Sequence, residues 1–180
     1  MRIFVALDIP QEIRARMTEY MERARSYAPE ARWARVEGLH VTLKFVGEAS
    51  DELVHQIKAG LAGVKAKPFE VKFEGVGFFP NPKAARVFWI GVNGGEALPG
   101  LAAAVDMTLE TLGIARENKD YHPHLTLARA SSHPLRELAP LLSLSSVHFG
   151  TMTAREFCLY QSQPQKGGSK YTKLERFRLE

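Results

Sequence analysis

Cysteine is almost absent: Cys158 is the only one in 180 residues, so no intrachain disulfide can form. It sits in an apolar, strand-like run, which reads as a buried inert thiol and not as a nucleophile. Long apolar runs are also missing. None approaches the roughly 18 residues that cross a bilayer. The opening Arg2-Ile3-Phe4-Val5-Ala6-Leu7-Asp8 is too short for an export signal and has no small-residue cleavage site. A reducing cytoplasm, with no membrane association, is the expected setting. Charge of one sign is not in large excess either. The net charge is +4 and the pI near 9.3, which suits an anionic ligand without demanding nucleic acid. There is no Gly-x-x-x-x-Gly-Lys loop, no Gly-x-Ser-x-Gly elbow and no His-Glu-x-x-His pair. Gly75-Val76-Gly77-Phe78-Phe79 is only faintly like an RNA-recognition signature.

What is present is an ordinary globular composition, 45% hydrophobic and 24% charged, long enough for one large domain or two joined halves. Residues 2–8 predict a strand, and Asp8 with Pro10 a helix start. Ile13, Met17, Tyr20, Met21 and Ala24 recur at helical spacing, with Arg14, Arg16 and their charged neighbours as a solvated face. A short strand at 33–36 precedes a strand at 39–46. Ser50 caps a helix striped by Leu53, Val54, Ile57 and Leu61. Strands follow at 69–79 and 86–92, then a second long helix stopped by Gly113. A strand begins near His124, and Pro134 opens a short helix. Residues 147–161 and 171–179 read as the last two strands, joined by a mobile polar loop, 163–170.

The chain repeats itself. His40-Val41-Thr42-Leu43 and His124-Leu125-Thr126-Leu127 lie 124 − 40 = 84 positions apart. Shifting by 84 lays Arg2 on Arg86, Phe4 on Phe88, the helix at 10–26 on that at 94–112, and the strand at 69–79 on 153–163. The expected fold is α+β: two pseudo-symmetric lobes of antiparallel sheet with outer helices and a cleft between the two His-Thr strands. Residues 1–180 form a single bilobal domain, with the repeat at about 2–80 and 86–163 and a C-terminal strand at 171–179. No exposed heptad or long apolar stripe calls for an obligate protein partner.

On a strand, His40 and Thr42 share one face, as do His124 and Thr126. His55, His133 and His148 have no repeat partner and read as ordinary surface or hydrogen-bonded residues. A metal site is the first rival, since His122, His124 and His40 supply three imidazoles. No acid accompanies them, however, and His122 falls on Gly38 in the repeat. Acid–base catalysis by two histidines on a phosphodiester remains, with Thr42 and Thr126 as donors to the non-bridging oxygens and no metal or cofactor.

The two His-x-Thr motifs, with the Arg2–Asp8 opening, Leu39–Gly47, Pro123–Arg129, Leu159–Ser162 and Gly168–Tyr171, resemble the 2H phosphoesterase superfamily. The resemblance is to its RNA 2′,3′-cyclic phosphodiesterase branch, once described as 2′-5′ RNA ligases. It implies hydrolysis of a terminal 2′,3′-cyclic phosphate to a 2′-phosphomonoester without metal, and a reverse 2′-5′ ligation. His40 would be the proton donor and His124 the proton acceptor. The partner would be RNA with 2′,3′-cyclic phosphate ends, tRNA fragments among them. Arg129 matches the arginine that closes the family's second motif. Strict alternation turns it away from His124, so it reaches the cleft only if the strand ends or bulges near Ala128. Alternation likewise puts Val41, Leu43 and Phe45 in the core, with base stacking by Phe45 the competing reading. Lys44 and Tyr171 are further candidate substrate contacts. Three rivals stay open: a protein that binds RNA ends without turnover, a phosphodiesterase for a small cyclic nucleotide or an ADP-ribose cyclic phosphate, and a metal hydrolase that would lose activity in chelator.

Overall fold

A computed structural model describes residues 1–144 and 147–180. Strand β1 (Arg2–Leu7) is buried at every position after the first, as expected of a strand covered on both faces. It lies at the middle of a four-stranded antiparallel sheet, in the order β3 (Val41–Glu48), β1, β8 (Glu156–Gln165), β9 (Gly168–Arg178). A second sheet has the order β2 (Arg32–Trp33), β6 (His124–Arg129), β5 (Val87–Asn93), β4 (Phe69–Phe79), β7 (His148–Ala154), again antiparallel throughout. On β4, Val71 and Phe73 are buried while Glu70, Lys72 and Glu74 are exposed, the period-two pattern that the sequence carries.

Three helices bury the apolar stripes predicted for them. Helix α1 (Gln11–Arg25) turns Ile13, Met17, Tyr20, Met21 and Ala24 inward. In α2 (Asp51–Leu61), the Ser50 hydroxyl accepts from the Leu53 amide at 3.1 Å. Helix α3 (Ala97–Glu110) buries Leu98, Leu101, Val105 and Leu109, and the chain leaves it through Gly113 at φ 86°. One continuous apolar cluster joins the helices to both sheets. No helix among the described residues is long and apolar enough to cross a membrane.

Several expectations are corrected. Arg14 is not on a solvated face. It is buried and donates to the carbonyls of Ile9 and Val36 and to Asp8. The run 147–161 is two strands: the chain leaves β7 at the edge of the five-stranded sheet and enters β8 inside the other. Residues 163–170 are not a loose loop. β8 and β9 stay paired out to Gln165 and Gly168, with Gly167 at φ 81° in the turn. The exchange of strands is the largest surprise. The last strand of the first half, β4, pairs with β5 and β7, while its counterpart in the second half, β8, pairs with β1 and β9.

Candidate active site

His40 lies just before β3, and His124 is the first residue of β6. Their surroundings repeat. His40 Nδ1 is 3.0 Å from the carbonyl of Gly38, and His124 Nδ1 is 2.8 Å from that of His122. A carbonyl only accepts, so in each ring Nδ1 carries the proton and Nε2 is left free. Both rings, with Thr42 and Thr126, line one cavity of about 580 Å³.

Two β-bulges decide what else reaches that cavity. In β6, Phe88 pairs with Ala128 while Trp89 pairs with Thr126, so Leu127 is the extra residue. Leu127 and Ala128 are both buried, and Arg129 returns to the face of His124 and Thr126, where it lines the cavity. In β3, Val5 pairs with Lys44 and Ala6 with Thr42, leaving Leu43 extra. Leu43 and Leu127 correspond under the 84-residue shift. The β3 bulge buries Leu43 and Lys44 together and turns Phe45 outward, 56% exposed, into the cavity wall. The expectation that Phe45 is core is therefore corrected.

Lys44 departs from expectation in the opposite sense, turning inward where alternation puts it on the face of His40 and Thr42. It is buried, ion-paired to Asp106 at 2.6 Å, and donates to the Ala115 carbonyl at 2.8 Å. Asp106 is held below the usual carboxylate range. Burial pushes it up, but Lys44, the Glu117 amide and Arg116 outweigh that. Tyr171 does line the cavity, edge-on to His40 at 5.3 Å.

The two imidazoles have different environments. His40 lies among Phe4, Tyr160 and Tyr171, with ring centroids 5.7, 4.5 and 5.3 Å away. Burial strips water from the imidazolium, the nearby Arg14 guanidinium adds repulsion, and the pKa falls from 6.5 to about 4. The Gly38 carbonyl and Asp8 favour the charged form but do not offset this. Asp8 is itself held near 2. Burial opposes that shift, and the hydrogen bonds from Lys173 at 2.6 Å and Arg14 at 2.8 Å overcome it. His124 has Phe79 edge-on at 5.1 Å. Among the described residues no group of three or more His, Cys, Asp or Glu side chains is placed to hold a metal ion.

Residues that sequence reasoning does not select also shape the site. The Tyr121 hydroxyl donates to the Thr42 carbonyl at 2.8 Å, tying the segment before His124 to the strand of the other histidine. Arg2 lines the cavity with its guanidinium 5.8 Å from the Phe45 ring centroid. The Arg2–Arg86 match in the repeat and the Arg2–Asp8 stretch of the resemblance are the signals that point to Arg2, and Tyr160 falls within the Leu159–Ser162 stretch; Tyr121 has no such signal.

The LigT like phosphoesterase family matches twice, over residues 7–89 and 90–171. An RNA 2′,3′-cyclic phosphodiesterase of Archaeoglobus fulgidus is 37% identical over 177 residues, covering 98% of this chain and 99% of its own. That of Escherichia coli is 30% identical over 180 residues, covering 99% and 96%. Among solved structures, E. coli LigT in its apo form superposes with a TM-score of 0.79 at 28% identity, covering 99% of this chain and 96% of the other. LigT complexed with 3′-AMP gives the same TM-score at 29% identity, covering 99% and 97%. With nearly its whole length matched in two successive halves, the chain belongs to the LigT like phosphoesterase family.

Proposed function

We propose that the protein is a metal-independent RNA 2′,3′-cyclic phosphodiesterase that opens the terminal ring to a 2′-phosphomonoester and a free 3′-hydroxyl. One observation carries the reading: two repeat-related imidazoles, each with Nδ1 on a carbonyl two residues upstream, present free Nε2 atoms to one cavity with a threonine beside each. The names borne by the relatives support the substrate.

In this mechanism His124 Nε2 takes a proton from water, whose oxygen attacks phosphorus in line with the bond to O3′. That bond breaks, and O3′ takes the proton carried by His40 Nε2. Each turnover leaves His124 protonated and His40 neutral, and exchange with solvent resets the pair. Thr42 and Thr126 donate to the non-bridging oxygens, whose charge grows in the transition state, and Arg129 balances that charge. Phe45 and Tyr171 offer aromatic faces to the terminal nucleoside. Run backwards, with a 5′-hydroxyl as nucleophile, the same groups join two strands through a 2′-5′ linkage. The substrates are RNA fragments with cyclic ends, tRNA fragments among them, in the cytoplasm.

Phosphorus NMR of an oligoribonucleotide ending in a 2′,3′-cyclic phosphate, with the protein in excess EDTA, tests this. Conversion to the 2′-phosphate alone is the expected result. A 3′-phosphate product refutes the assigned leaving group. Turnover only after adding zinc or manganese refutes metal independence, and none in either condition refutes the hydrolase reading.

A further inference from the structure

The cleft continues past Tyr171. A second cavity of about 520 Å³ adjoins it, and Gly38, Leu39, Ser169 and Tyr171 line both. This size is within the roughly 300–1,000 Å³ of small-ligand sites. Its walls are the segment from Trp33 to Glu37 and the end of the β8–β9 hairpin, Gln165 to Lys170. The exposed Arg35 and Lys170 form no ion pair among the described residues. Arg35 also lies along the two glycines of the hairpin tip, Gly167 and Gly168. A Cβ on Gly167 would sit 2.6 Å from its Nη2, and one on Gly168 would sit 3.4 Å from its Cδ.

On the other flank, a cavity of about 570 Å³ shares Thr42, Phe45, Tyr121 and His122 with the cleft. Its charge balance is opposite. Lys44 is taken up by Asp106 at 2.6 Å, leaving Lys119 against Glu117 and Asp120. In the Trp33–Lys170 cavity the balance is Arg35 and Lys170 against Glu37. A polyanion leaving the cleft is thus attracted on one flank and repelled on the other.

A terminal cyclic phosphate closes the 3′ end of an RNA, so all the remaining strand lies on its 5′ side. We propose that the Arg35–Lys170 groove binds the single-stranded RNA immediately 5′ of the terminal nucleotide. Arg35 and Lys170 meet its phosphates, and Trp33 and Tyr171 flank its bases. This rests on the proposed function and adds that the enzyme recognises a strand and not only an end.

The test compares adenosine 2′,3′-cyclic phosphate with a pentaribonucleotide ending in the same group, for wild type, the double variant Arg35→Gln/Lys170→Gln, and Lys119→Gln. Wild type should show the lower KM for the pentanucleotide. The double variant should raise that KM about tenfold and reduce the slope of log KM against log salt by about 1.4, roughly 0.7 for each phosphate that is no longer neutralised. Its kcat and its kinetics on the mononucleotide should not change, and Lys119→Gln should behave as wild type. Equal handling of the two substrates by wild type overturns the groove. So does a double variant that affects both substrates alike, or a loss of strand preference in Lys119→Gln. Failure of wild type to turn over either substrate overturns the hydrolase reading itself and the groove with it.

Discussion

Binding of a phosphate monoester should raise the proton affinity of His40 about a thousandfold. In the free protein His40 is held at about 4, chiefly by burial and then by Arg14, so at neutral pH it lacks the proton that an acid must give. Arg14 cannot move away, because it is fixed by Asp8 at 2.8 Å and by the carbonyls of Ile9 and Val36. A substrate anion supplies the missing attraction. A unit charge at ~4 Å, with an effective dielectric constant of ~20, contributes about 4 kcal/mol. At 1.36 kcal/mol per tenfold, that is about three powers of ten, enough to bring His40 back to the range of a free imidazole. The assay is an NMR pH titration of ¹⁵N-imidazole-labelled protein, alone and saturated with adenosine 2′-monophosphate, with His40→Asn identifying the resonance. A His40 midpoint that stays at its free value under saturating ligand refutes the reasoning. The acid would then have to be His124.

The same depressed pKa predicts a stability profile. The unfolded chain binds a proton at His40 below about pH 6.5 that the folded chain refuses until about pH 4, so stability falls by about 3 kcal/mol as pH drops through that window. Urea midpoints near the two ends of the window should show this, and the profile of His40→Asn should be flatter; identical slopes would contradict it. His40→Ala and His124→Ala should each lower kcat by about 10²–10⁴ in the phosphorus NMR assay, and near wild-type turnover in either would end the two-histidine mechanism. Lys44→Met leaves Asp106 buried and short of its nearest cation; it should cost about 3 kcal/mol in denaturant titration. Turnover measured below the lowered melting temperature should be unchanged, whereas a rise in KM would restore Lys44 as a substrate contact.

The repeat makes the fold class and the two histidines legible, because local periodicity and a matched pair of short motifs are both properties of the linear chain. What escapes it is parity. Side chains along a strand change face each time a residue is inserted, and alternation alone does not reveal the extra residues Leu43 and Leu127. Hence alternation predicts Phe45 inside where it is outside, Lys44 looks like a substrate contact where it is buried, and Arg129 faces the cleft only because its strand bulges. Arg14 misleads for a different reason. A charged residue on a helix ordinarily seeks water, and only a carboxylate six residues earlier with two waiting carbonyls turns it inward. Tyr121 acts through a backbone carbonyl 79 positions away, and nothing in its own neighbourhood announces that. The pairing of β4 and β8 with the opposite halves is likewise a choice among distant partners.

That exchange of strands bears on how the cleft can move. Followed in order, the chain passes between the two sheets at β1 to β2, β2 to β3, β3 to β4 and β7 to β8. Two bodies joined by one tether can swing apart, but four tethers at separate points leave no common axis to swing about. Any relative shift of the two sheets must carry all four connections with it, so the placement of His40 relative to His124 is set mainly by folding. In the proposed mechanism, the entropy of bringing acid and base together is then spent in folding and does not recur with each substrate molecule.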